Sequence, residues 1–108
     1  AYIMYLFGEM IARLTKEYGL LKIDCDAKEK KQITVERRKW VQENPNEKVP
    51  AMSFFEAEAA EFVRADKEKL MDKYADLTRF KEASDKYEQI MNAIKKKMEA
   101  IKYEEFNK

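Results

Sequence analysis

The sequence predicts an all-α fold: a long antiparallel helical hairpin, a coiled coil that assembles into a four-helix bundle or a larger oligomer. Three observations predict it. From Ala59 to Ile101, apolar side chains recur at alternating steps of four and three (Ala59, Val63, Leu70, Leu77, Phe80, Tyr87, Met91, Ile94, Met98, Ile101), broken only at Asp66, Lys73 and Ser84. That spacing is the seam of a helix packed lengthwise against another helix. Helix breakers are nearly absent, with 2 Gly and 2 Pro in 108 residues. Both prolines fall in one short stretch, which divides the chain in two.

The first helix is expected over about Tyr2–Glu43, on a seam of Met4, Phe7, Ile11, Leu14, Tyr18, Leu21 and Cys25. Beyond Cys25 the seam turns polar at Lys28 and Gln32, then recovers through Ile33 or Val35 to Trp40 and Val41. Gly19 lies inside this helix at a cost of about 1 kcal/mol relative to Ala, and is either tolerated or marks a bend. The connection covers residues 44–53, because Pro45 and Pro50 each disfavour helix in the residue before them. Ser53 stands three residues before Glu56, the spacing of a capping box, so the second helix is expected from about Phe54 to Glu105.

So short a connection makes the two helices neighbours of opposite direction, with residue i roughly opposite residue 97 minus i. Trp40 then faces Ala57, Ala59 and Ala60. Residues 28–39 carry six basic and two acidic groups, and residues 56–68 five acidic and two basic, so basic stretch faces acidic stretch.

The apolar stripe is wider than one pair of helices can bury. Ile23 flanks the first seam; Phe62, Met71, Tyr74 and Ile90 flank the second. The second helix also outruns the first, leaving Met98, Ile101, Tyr103 and Phe106 without an intrachain neighbour. At roughly 25 cal/mol per Å2 of apolar surface, this predicts burial between molecules. Tyr2, Tyr5, Phe7, Ile23, Met71, Tyr74, Ile90, Met98, Ile101 and Phe106 are the expected interface, toward a second copy of the chain or toward another protein.

Charge and composition narrow the function classes. The 22 basic and 21 acidic residues leave a net charge of +1, so no global field selects nucleic acid or membrane. No histidine is present, which excludes a Cys–His nucleophile pair. The single cysteine, Cys25, is in phase with the seam; it reads as a small buried residue and points to a reducing, cytoplasmic setting. The apolar run Ala1–Phe7 is shorter than the roughly 20 residues a bilayer span needs and has no basic leader, so no membrane role is expected.

Two chemical constellations compete with a purely structural role. Lys28, Lys30, Lys31, Arg37 and Arg38, with Trp40 close by and a second cluster at Lys95, Lys96 and Lys97, offer phosphate contacts and a stacking ring for single-stranded nucleic acid. Glu56, Glu58, Glu61, Asp72 and Asp76 offer oxygen ligands at helical spacing for a divalent ion. The pair E-A-A-E (Glu58–Glu61) and K-Y-A-D (Lys73–Asp76) resembles the E-x-x-E…E-x-x-D motif of helical nucleotide pyrophosphohydrolases. Lys73 occupies the place of the third ligand there and repels a metal, so the expectation is no metal, no cofactor and no catalysis.

The central half reads R-R-K-W (Arg37–Trp40), E-N-P (Glu43–Pro45) and, at the close of the second helix, Y-E-Q-I-M-N-A-I-K-K-K-M (Tyr87–Met98). In this pattern the chain resembles small, highly charged helical-hairpin proteins of bacteriophages and prophages. The resemblance implies an interaction protein or an accessory of recombination or replication, and carries over no functional residues. The leading expectation is a non-catalytic, oligomerising helical hairpin that binds a protein partner.

Overall fold

The computed structural model describes residues 2–107; Ala1, the first residue of the apolar run, lies outside them. The fold is all-α, with three helices, α1 (Tyr2–Glu43), α2 (Met52–Phe62) and α3 (Arg64–Phe106), and no strand among the described residues. No helix is long and apolar enough to cross a membrane.

Helix α1 has the expected bounds and runs through Gly19 without interruption. Its end is made by Asn44, whose backbone amide and side-chain amide both donate to the Trp40 carbonyl at 2.9 and 3.0 Å. The Trp40 carbonyl, an acceptor of the last turn, thereby receives two donors. The Glu47 amide then donates to the Asn44 carbonyl at 3.3 Å, with Pro45 and Asn46 between them and Asn46 at a φ of 72°. Proline second and a left-handed residue third is the pattern of a type II turn, and asparagine tolerates that conformation better than most side chains.

The expected single second helix is observed as two, and its start differs. The N-cap of α2 is Ala51, extended at ψ 152°, and no side chain caps it; Ser53 lies inside the first turn. The capping box therefore does not form. Ala51 and Ser53 are both exposed, so water can satisfy the first amides. The burial of Phe55, 1% exposed, outweighs the ~1 kcal/mol that a serine cap offers.

The interruption falls at Val63, which is fully buried at φ −97° and ψ 12°. Its amide still donates to the Ala59 carbonyl and its own carbonyl accepts from the Lys67 amide. The departure thus spans one residue. Neither Gly nor Pro causes it; it sits at a β-branched side chain with restricted rotamers in a helix.

The chain divides into two compact units, Lys16–Tyr74 and the flanking segments up to Thr15 and from Ala75 onward. In the Lys16–Tyr74 unit the core is Cys25, Phe55, Ala59 and Val63. Phe55, Ala59 and Val63 follow one another at i, i+4 and i+8, one row on one helical face. Glu17 meets Lys73 and Tyr18 meets Tyr74, whereas Glu29 meets Lys67, so partners of later residues in α1 come earlier in α3. The anticipated 97-minus-i spacing holds to one residue at Glu29 and is seven residues off at Glu17. Recovery of the α1 seam also differs: Val35 and Val41 are exposed, and Gln32 and Glu36, joined by a 2.8 Å hydrogen bond, occupy the part-buried positions beside Ile33.

In the flanking unit the core is Leu14 and Leu77, with Phe7 against Tyr87 at a ring separation of 5.9 Å. Burial along α3 stops there, and residues 88–106 are all exposed.

A methyl group added at Gly19 meets no atom within 4 Å, and the residue does not need a left-handed conformation. Gly19→Ala is therefore expected to raise stability by about 1 kcal/mol through helix propensity alone. A higher urea midpoint with an unchanged m-value checks this.

Candidate functional site

The most organised polar arrangement lies in the Lys16–Tyr74 unit. Lys28 extends its ammonium to Asp66, with Nζ 2.9 Å from Oδ2, and stands 5.4 Å from the centroid of the Phe62 ring. Helix α1 supplies the lysine, α2 the ring and α3 the carboxylate. The hydrogen bond from Lys28 holds the Asp66 carboxyl below its ordinary value, against a smaller opposing effect of desolvation. One step along each helix, Lys67 pairs with Glu29 at 3.1 Å, with the signs reversed. Farther along, Lys73 pairs with Glu17 at 2.8 Å.

These pairs revise the idea of a basic stretch facing an acidic one. Among the described residues, only Lys28 of the six basic groups in 28–39 forms an ion pair with residues 56–68. The others, Lys30, Lys31, Arg37, Arg38 and Lys39, are exposed. Lys95, Lys96 and Lys97 are exposed as well, on the stretch of α3 beyond Tyr87. Trp40 is half-buried and lines a cleft of about 200 Å3 with Phe54, Phe55 and Glu58. Its neighbourhood is thus an aromatic corner, with Phe54 edge-on to Phe55 at 5.3 Å, and the expected Ala57, Ala59 and Ala60 are not among the cleft's lining.

Individual facing positions carried the signal for the Glu29–Lys67 pair, which the tally of charge over whole stretches concealed. The Lys28–Phe62 contact had no comparable signal, because Phe62 stands one position off the seam.

The carboxylates do not gather. Glu61 is joined to Arg64 across the break at Val63 at 3.4 Å and Asp76 to Arg79 along α3 at 3.5 Å, while Glu56, Glu58 and Asp72 are exposed. Among the described residues no three His, Cys, Asp or Glu side chains are placed to hold a metal ion. Cys25 is buried at 5% exposure, and its thiol is raised above the ordinary value by desolvation first and by the nearby Asp66 second. At neutral pH it is therefore protonated, a poor nucleophile and a poor metal ligand.

The apolar residues expected at an interface lie on the surface of the single chain. Tyr2, Tyr5, Ile23, Met71, Tyr74, Ile90, Met98, Ile101 and Phe106 are all exposed, Phe106 by 91%. Phe7 differs, being half-buried against Tyr87, and Tyr74 rests its ring 5.6 Å from that of Tyr18. Within α3, Met91, Ile94, Met98 and Lys102 line an open groove of about 420 Å3.

The chain matches no protein-family model, no curated protein and no solved structure.

A depressed carboxyl fixes the sign of one pH effect. The stabilisation from Asp66 is complete above the ordinary carboxylate value of 3.8 and drains away as pH falls through the lower folded value. Asp66→Asn is expected to lower the urea midpoint at pH 7, and the gap between variant and parent should close below pH 4. Midpoints measured from pH 7 to pH 2 check this.

Proposed function

We propose that this protein is a non-catalytic interaction module: an antiparallel helical hairpin that self-associates, as a four-helix bundle or larger, and offers its charged flanks to a protein partner. The observation that carries the reading is the disproportion between what the fold buries and what it leaves wet. Six apolar residues form the buried core, whereas 21 large apolar residues are exposed among those described. Exposed apolar area on that scale marks association surfaces. The free, buried Cys25 supports a cytoplasmic setting.

Sedimentation of the chain at two concentrations a hundredfold apart tests this reading. A mass that rises with concentration and a melting temperature that rises with it are expected, because association stabilises by mass action. A single-chain mass at both concentrations would overturn it.

A second reading, contact with single-stranded nucleic acid, is supported by one observation. No ion pair engages Lys95, Lys96 or Lys97 among the described residues, and Tyr103 is exposed on the same stretch of helix. Phosphate binding of this kind weakens steeply with salt. A labelled oligonucleotide that binds at 20 mM salt and releases at 200 mM would favour it; no binding at low salt excludes it.

A further inference from the structure

We propose that the face of α3 beyond Tyr87 is the self-association surface, and that its occupant is the same face of a second copy running in the opposite direction. The inference rests on the self-associating reading above and names the part of the molecule that performs it. Burial along α3 ends at Tyr87, yet the four-three alternation continues without a break through Met91, Ile94, Met98 and Ile101. A seam of that period presents a surface shaped for another helix.

The area matches what such an occupant requires. Ile90, Met91, Ile94, Met98, Ile101 and Phe106 are between 41% and 91% exposed. Together they leave several hundred Å2 of largely apolar area open, Phe106 alone about 200 Å2 of it. A standard interface buries about 800 Å2 per partner, roughly 65% of it apolar in homodimers, an area of the same order.

Charge favours a copy, and its direction. Residues 88–106 hold four acidic and four basic groups, so the segment does not repel itself. The lysines at 95, 96 and 97 stand at its middle, with Glu88 toward one end and Glu104 and Glu105 toward the other. In a parallel pair the lysine run falls on its own image. In an antiparallel pair crossing between Glu99 and Ala100, Met98 opposes Ile101 of the other copy. Lys97 then lies beside Glu104 of the other copy and Lys95 beside Lys102, each twice by symmetry, so the like contact is offset, as it is not in the parallel pair.

The test is sedimentation of the full chain beside two double variants, with helix content followed by circular dichroism. Met98→Glu with Ile101→Glu is expected to sediment as a single chain and keep its helix content. Ile23→Glu with Met71→Glu, on the other unit, is expected to associate as the parent does. Association that survives the distal substitutions would overturn the proposal while leaving self-association standing. A parent that is monomeric throughout would remove both.

Cross-linking guards against a distal variant that fails to fold. In a Cys25→Ser background, Met98→Cys with Ile101→Cys should give a covalent dimer on mild oxidation faster than Ile23→Cys does. The reverse order would overturn the proposal.

Discussion

One row of side chains sets the terms for the Lys16–Tyr74 unit. Phe55, Ala59 and Val63 succeed one another along a single helical face, and each is all but sealed from water. The ring of Phe55 stands edge-on to Phe54 and lines the cleft beside Trp40. Fully burying a phenylalanine and a valine is worth on the order of 2–3 kcal/mol each, more than a local helix cap provides. This explains why α2 begins where Phe55 is best placed and dispenses with a serine cap. It is also consistent with the helix accepting a departure at Val63, whose side chain is completely enclosed.

Around that row, electrostatic contacts specify alignment more than they add stability. Lys28–Asp66, Glu29–Lys67 and Glu17–Lys73 are all partly open to water, where an isolated pair contributes at most about 1 kcal/mol. Their information lies in the alternation of sign. Lys28 and Glu29 are adjacent, as are Asp66 and Lys67, and each pair ties one residue of α1 to one of α3, so a shift along the helix separates both at once. Apolar seams built from interchangeable Leu, Met and Ile cannot enforce register as strictly, and opposite charges at successive positions can.

How much of this was legible in the sequence follows from what kind of information each feature uses. The extent of α1, the turn after Glu43 and the seam position of Cys25 are written in periodicity and in proline placement, both properties of single segments. The break at Val63 was not, because the apolar repeat passes through it undisturbed and no breaker marks it. The start of α2 was misjudged because a local cap motif was weighed without the competing burial of Phe55. The polar pair Gln32–Glu36 in the seam was invisible for a related reason: an apolar repeat is a statement about averages, and a hydrogen bond can stand in for one of its members. The exposed distal stretch was legible as apolar surface, though its occupant is a matter of chemistry between molecules.

The turn of Asn44, Pro45, Asn46 and Glu47 has a kinetic meaning. Two prolines in six residues restrict the unfolded chain, and a left-handed asparagine completes the change of direction with little further ordering. The entropy lost in closing a loop grows with the logarithm of its length. The residues that line the cleft beside the turn, Glu43 and Phe54 among them, therefore incur the smallest loss, and Glu17 with Lys73 a larger one. Assembly of this unit is cheapest when it zips away from the turn, each closed contact shortening the loop left for the next.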